Sequence, residues 1–252
     1  MTFKIESETI SEWKLVVTFL TKLVDKATFA VDKNGITLKA MDPSHVALAD
    51  LNMPSSAFKK YETDSDDEQK FTISLETFNK AIQRASSTDG CVLYSDGPKS
   101  LHMSLSGSYA RQYTLALEAE SVDVKMTPTI DFKGKSSMKS YVLDNVVNDV
   151  NAVSDKIVVQ ARDKKLEFLG KNDSAGNKVV VALDLANAGV DTLDIEENFK
   201  VQFSLKYLLD IMSVGKETDT IYVDLAGDKP LRLGFKIGLY STLDFYLAPR
   251  SV

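Results

Sequence analysis

The 252-residue chain is 44% hydrophobic and 26% charged, with a formal net charge of -6. Length and apolar content support sizeable buried cores, while the acidic balance excludes a strongly basic nucleic-acid binder and leaves room for a local basic stripe. A single cysteine, Cys91, excludes an intrachain disulfide or a cysteine metal cluster, and no apolar run approaches the ~18 residues of a membrane span.

The N-terminal Met-Thr-Phe-Lys-Ile opens on an alternating strand pattern without a signal-peptide core. A helix is predicted after Thr9-Ile10-Ser11-Glu12, a capping-box pattern in which Thr9 and Glu12 satisfy two orphan amides. Its apolar positions are Ile10, Trp13, Val16, Val17, Leu20, Leu23 and Val24, at helical spacing. Strands follow over Thr28–Val31, Ile36–Ala40 and Val46–Leu51. The first two are joined by Asp32-Lys33-Asn34-Gly35, where Asn-Gly would supply the positive φ angles of a tight hairpin. The acidic stretch 64–68 reads as a solvated loop. Ser74 is a natural N-cap for a second helix burying Leu75, Phe78, Ile82 and Ala85, and strands are predicted near 91–95, 100–106 and 109–117.

Residues 118–132 carry acids at the start and Pro128, and read as an extended connector. Its isolated apolar residues Val124, Met126 and Ile130 either pin it to its neighbours or wall a groove. Beyond it, helices are predicted near 140–153 and 205–214. Strands are predicted near 157–161, 165–170, 178–184, 199–203, 220–225, 231–236 and 241–247. The fold class is therefore α+β: antiparallel meanders with two helices per half on one face of the sheet.

The halves repeat at a constant offset of about 130 residues. Val16-Val17 recurs as Val146-Val147, Asp25-Lys26 as Asp155-Lys156, Ser74-Leu75 as Ser204-Leu205 and Thr88-Asp89 as Thr218-Asp219. One unit built twice implies two domains, 1–117 and 133–252, flanking the linker 118–132, and invites assembly with higher rotational symmetry.

No catalytic constellation emerges. His45 and His102 lack a metal-ligand spacing, and no nucleophile elbow, phosphate-binding loop or dinucleotide fingerprint occurs. No catalytic residue, metal or cofactor is assigned, and Cys91 and His102 read as strand residues of structural role.

Opposite their apolar stripes, the first two helices place Lys14 and Lys22, and Lys80 and Arg84, among polar residues. These are either ordinary wet faces or, if copies close into a ring with helices inward, a lining that contacts a phosphate backbone without reading bases. The second half supplies only Lys206 and Lys216, with no basic residue from 140 to 153. DNA attraction is thus expected to come mainly from the first half.

Two segments carry a family resemblance: Ala40-Met41-Asp42-Pro43-Ser44-His45-Val46-Ala47-Leu48 and Phe245-Tyr246-Leu247-Ala248-Pro249-Arg250. Together with the length, the tandem halves and the linker position, they resemble sliding clamps of the proliferating cell nuclear antigen family, archaeal type. The resemblance implies a DNA clamp fold with sheets outside and two helices per domain inside. It implies a homotrimer encircling double-stranded DNA, non-enzymatic and without a membrane association, cytoplasmic in an archaeon or nuclear in a eukaryote. The implied partners are a clamp loader, DNA polymerase, flap endonuclease and DNA ligase, engaged through short peptides; the alternatives are one subunit of a heterotrimeric clamp and a non-DNA α+β scaffold protein. The implied peptide pocket comprises Met41, Ser44, His45, Val46 and Leu48, linker residues Met126 and Ile130, and Pro230, Tyr246, Leu247, Ala248 and Pro249. The implied subunit seam pairs strand 109–117 (Tyr113, Leu115, Leu117) with strand 178–184 of the next chain (Val179, Val181, Leu183).

Overall fold

The computed structural model describes residues 2–64, 67–122, 124, 127–172 and 174–250. The chain divides into two compact units, residues 1–127 with 236–243, and residues 128–235 with 244–252. The first contains β1 (Phe3–Ser7), α1 (Ser11–Leu20), β2 (Lys26–Asp32), β3 (Gly35–Met41), β4 (Ala47–Pro54) and β5 (Lys60–Thr63). It continues with β6 (Gln69–Ser74), α2 (Leu75–Gln83), β7 (Gly90–Ser95), β8 (Ser100–Ser106) and β9 (Arg111–Ala116). The second begins with β10 (Gly134–Lys139), α3 (Ser140–Asn151), β11 (Lys156–Arg162), β12 (Lys165–Asn172), β13 (Asn177–Leu183) and β14 (Val190–Ile195). After these come β15 (Phe199–Ser204), α4 (Leu205–Gly215), β16 (Thr220–Leu225), β17 (Leu231–Ile237) and β18 (Ser241–Leu247). The α+β class follows directly from this order.

In the first unit the strands run β5-β1-β7-β8-β9 and β4-β3-β2-β6; in the second they run β14-β10-β16-β17 and β13-β12-β11-β15. Pairing registers repeat to the residue. Ala30↔Thr37 recurs as Gln160↔Glu167, Lys39↔Asp50 as Leu169↔Val180, and Thr28↔Thr72 as Val158↔Gln202. A one-residue slip would turn every buried side chain outward, so two hydrophobic patterns in step enforce two registers in step.

The core of the first unit centres on Trp13, fully buried, with ring centroids 6.1 Å from both Phe29 and Phe78. Phe29 stacks on Phe71 at 5.1 Å. In the second unit α3 buries Leu143, Val146, Val147 and Val150, while α4 contributes Leu208, Ile211 and Met212.

Local chemistry departs from expectation in three places. The Thr9–Glu12 capping box does not form: Ile10 is the N-cap of α1, and its amide is satisfied by the Asp89 carbonyl at 2.8 Å. Thr9 instead meets the Ser11 hydroxyl at 2.7 Å, and Glu12 is drawn to Ser241 at 3.2 Å. In the 32–35 hairpin only Gly35 has positive φ (148°), not Asn34. The Asp32 carboxylate closes that turn by accepting the amides of Asn34 (2.7 Å) and Gly35 (3.1 Å), and a side chain on Gly35 would sit 2.2 Å from the Met53 carbonyl. Strands β5, β6, β10 and β14 were not predicted. Gln69–Ser74 and Gly134–Lys139 are polar enough to lack a clean alternation, yet pairing places Phe71, Ile73 and Met138 inside. The Ser74 cap does form, accepting the Thr77 amide at 3.4 Å.

Candidate nucleic-acid interface and peptide-binding loop

The polar faces of α1 and α2 are tied together rather than merely hydrated. Gln83 donates to the Thr18 hydroxyl (2.9 Å) and to Asn79 (3.2 Å), and the Lys14 ammonium donates to the Ala85 carbonyl at the end of α2 (2.8 Å). Lys80 pairs with Glu76 one turn earlier, and that ammonium holds the Glu76 carboxyl below the usual range. Exposed pairs of this kind contribute little to stability. Of the four basic residues predicted on this surface, Lys22 and Arg84 are exposed and have no ion pair among the described residues. In the second unit α3 exposes Asn145, Asn148 and Asp149, whereas Lys206 and Lys216 stand exposed at the two ends of α4. Among the described residues, each unit thus exposes two of the named bases without an ion pair, and the first unit's excess lies in Lys14 and Lys80, which are engaged.

The loop between β3 and β4 is organised by Asp42, which is 4% exposed. Its carboxylate accepts the amides of Ser44 (3.0 Å), Val46 (2.6 Å) and Ala47 (2.6 Å). The main chain closes the same ring: the Asp42 amide donates to the Ala47 carbonyl, and the His45 amide to the Asp42 carbonyl, each at 2.9 Å. Pro43 needs no acceptor, and His45 takes a left-handed φ of 57°, a conformation that turns its side chain into solvent. Charge-assisted bonds to three donors make this a rigid turn, so Asp42 holds the neighbours whose surfaces are on offer. The candidate list omitted Asp42; its signal was an Asp-Pro-Ser turn followed at once by strand residues.

Met41 and Val46 are half-buried, Ser44 and His45 exposed. Leu48 is 3% exposed and serves packing, offering almost no surface. Met126 lies outside the described residues, and Ile130 is half-buried. In the second unit Pro230 follows a turn with Asp228 at φ 53° and is half-buried. Tyr246, Ala248 and Pro249 are also half-buried, and Leu247 is buried.

β9 ends one sheet of the first unit and β13 one sheet of the second, as β5, β6, β14 and β15 end the others. Tyr113, Leu117, Val179 and Val181 are half-buried, while Leu115 and Leu183 are already packed in their own cores. What both edges offer a partner is chiefly backbone. Arg111 at the start of β9 pairs with the buried Asp89 carboxylate, donates to the Arg84 carbonyl (2.7 Å) and lies 4.8 Å from the Tyr109 ring centroid.

Groups with catalytic potential are otherwise engaged. Burial pushes the Cys91 thiol up to about 12, so it is not a nucleophile. His102 stacks on Tyr94 (4.7 Å) between the hydroxyls of Ser100 and Thr114. Among the described residues, no group of three or more His, Cys, Asp or Glu is placed to hold a metal.

Comparison with known proteins adds two family matches: "Proliferating cell nuclear antigen, N-terminal domain" over residues 2–126 and "Proliferating cell nuclear antigen, C-terminal domain" over 126–250. A DNA polymerase sliding clamp of Nitrosopumilus maritimus is 34% identical over 251 residues, 99% of both chains. One from Pyrococcus horikoshii is 30% identical over the same span, again 99% of both. The structure of PCNA from Thermococcus kodakaraensis superposes with a TM-score of 0.91 at 28% identity, covering 98% of this chain and 100% of that one. A chain of the PCNA2–PCNA3 complex from Sulfolobus tokodaii shares the fold, with a TM-score of 0.88 at 20% identity, covering 98% and 99%.

Proposed function

The chain belongs to the proliferating cell nuclear antigen family of DNA polymerase sliding clamps, and on that premise we propose that it closes as a homotrimeric ring around duplex DNA. The observation that supports the ring is that β9 in one unit and β13 in the other, the two strands the family resemblance assigns to the seam, both end their sheets. Different edges on one chain make a head-to-tail contact, and head-to-tail contacts close into rings when the rotation fits. Pairing between chains also removes two edges that would otherwise template aggregation.

In this reading the protein performs no chemistry and needs no cofactor. It tethers a polymerase by enclosure, with Lys22, Arg84, Lys206 and Lys216 as the freest basic groups for sequence-blind phosphate contact, and Lys14 and Lys80 as partly committed ones. Loose contact suits sliding, and a net charge of -6 per chain keeps affinity for DNA low. Met41, Ser44, His45 and Val46 offer a partner's short peptide a shallow apolar rim on a rigid turn. A clamp loader, flap endonuclease and DNA ligase are the further partners of that kind. The test is retention on nicked circular DNA after loading, followed by release on linearising the circle; a protein never retained is not a clamp.

A heterotrimer subunit is the second reading, because a structural neighbour is itself part of a PCNA2–PCNA3 complex. Light scattering on the purified chain separates the two: a mass three times that of one chain supports the homotrimer, and a monomer supports the heterotrimer.

A further inference from the structure

Because the two units share register to the residue, the outward faces of β2–β4 and of β11–β13 can be compared position by position. On the first unit that face is covered. The chain leaving β9 crosses it: the Glu118 amide donates to the Thr72 carbonyl (2.8 Å), and the Glu118 carboxylate meets the Lys26 ammonium at 2.9 Å. Farther on, the Val122 amide donates to the Thr28 hydroxyl at 2.8 Å, and the Thr127 hydroxyl donates to the Asp50 carboxylate. The described part of the cover is an acidic stretch, Glu-Ala-Glu-Ser-Val over 118–122, bent at Ala119 and Glu120, with Val124 beyond it.

On the second unit the first of these contacts is kept, the Arg250 amide donating to the Gln202 carbonyl at 2.8 Å, but Val158, the counterpart of Thr28, lines a cavity. Val158 and Gln202 stand where Thr28 and Thr72 do, and the strand that bridges Gln202 brings Arg250, a base in place of Glu118. A cavity of about 750 Å³ remains, floored by Val158 and Leu169 and rimmed by Lys156, Lys171, Lys178 and Lys200. Two of these lysines replace apolar residues of the first unit, Met41 becoming Lys171 and Leu48 becoming Lys178, and Val180 replaces Asp50. Asp155 is the one acidic lining residue among the described residues. In a chain of net charge -6, this concentrates positive charge around an apolar floor.

Lys171 and Lys178 are direct cross-strand partners, which gathers positive charge at this end of the face. Lys156, Lys178 and Lys200 have no ion pair among the described residues. A single-stranded nucleic acid fits poorly, since no lining residue is aromatic and base stacking is the usual sequence-tolerant anchor. We propose that this face is a docking site for an acidic, valine-bearing segment of a partner protein. The segment would lie where residues 118–122 lie on the first unit, its carboxylates on Lys156 and Lys178 and an aliphatic side chain over Val158 and Leu169. Pairing of the β13 edge with another chain would use backbone groups in the plane of the sheet and leave this face open.

The probe is the peptide Glu-Ala-Glu-Ser-Val-Asp-Val titrated into the full chain by calorimetry, with amide chemical shifts locating it; no DNA is involved, so the outcome is separate from that of the clamp assay. Saturable binding is expected, with shifts at Val158, Leu169 and Gln202 and an affinity about tenfold weaker in K156E/K178E, as for losing and reversing two exposed charge contacts. Both lysines are exposed, and thermal unfolding checks that the variant is folded; K156Q/K178Q and K200E report independently. Lack of saturable binding, or undiminished binding to folded K156E/K178E, overturns the proposal. So does equal binding of a peptide with both valines changed to serine, or of an oligothymidylate of matched charge, either of which would reduce the face to an unselective anion surface.

Discussion

At position 13 the first unit buries an indole; at the matching position the second buries Leu143. Phe29 and Phe78 likewise correspond to Val159 and Leu208, but the exchange runs the other way at Leu38 and Phe168, and at Ile73 and Phe203. Volume has been moved between facing elements while the backbone register stayed fixed. A fold thus specifies how much apolar volume a layer holds more strictly than which strand or helix supplies it. The surfaces diverge without that constraint: the 41–48 turn is closed by a buried carboxylate, whereas the matching 171–178 segment includes a turn with Asn172 capping the Ala175 amide at 3.1 Å.

The sharpest way to break the core comparison is truncation at matched sites. Trp13→Ala should cost about 4 kcal/mol and Leu143→Ala about 3 kcal/mol, both read by urea unfolding with circular dichroism, because Trp13 is the sole tryptophan. A smaller loss at Trp13 than at Leu143 would mean that the aromatic cluster of the first unit relaxes around the hole. Next in size is the turn. Asp42→Ala removes the acceptor for three amides, and a stability loss of about 3 kcal/mol is expected together with weaker binding of any peptide that uses Met41 and Val46. Ser174→Ala, in the corresponding turn of the second unit, should be neutral in both measurements.

Much of this comparison was legible in the chain itself. The offset showed in paired identities such as Asp25-Lys26 and Asp155-Lys156, and helix positions followed from 3.6-residue spacing at Trp13, Val16, Val17 and Leu20. Strands that bury polar residues, such as Gly134–Lys139 with Ser136 and Ser137 inside, were not, because tertiary pairing and not local pattern decides them. On the site, the exposed bases could be named from helix phase, but not that Lys14 would be spent on the Ala85 carbonyl. That contact joins residues 71 apart, of which local spacing carries no record, whereas Glu76 and Lys80 are an i,i+4 pair that helix spacing does offer.

The helix surfaces supply the next test. Lys22→Glu with Arg84→Glu should lower retention on circular DNA and reduce the salt slope of binding by about 2, one for each lost phosphate contact. Lys206→Glu with Lys216→Glu should do less, since their surroundings are less basic. Equal losses from the two pairs would show that the ring reads only total charge.

The smallest expected effect sits where the matched positions are Glu12 and Val142. Glu12 is half-buried on the first turn of α1, accepting from the Ser241 hydroxyl at 3.2 Å, with Gly238 close enough that a Cβ there would collide with its carboxylate. Burial raises the Glu12 pKa above the usual carboxylate value, and the Ser241 hydrogen bond only partly opposes it. The folded protein therefore holds a proton that the unfolded chain has released between the ordinary and the raised pKa. Stability from this group is present at low pH and lost as pH rises through that window, the reverse of a salt-bridged acid. Glu12→Gln keeps the shape and removes the ionisation, so it should flatten this part of the pH profile and stabilise at neutral pH by well under about 1 kcal/mol once solvent screening is allowed for. The valine at position 142 carries no such charge, and Val142→Gln should lower stability at every pH without changing the slope. A Glu12→Gln protein less stable than the parent at neutral pH would mean that the ionised carboxylate is doing structural work through Ser241, as a substitute for the cap that α1 lacks.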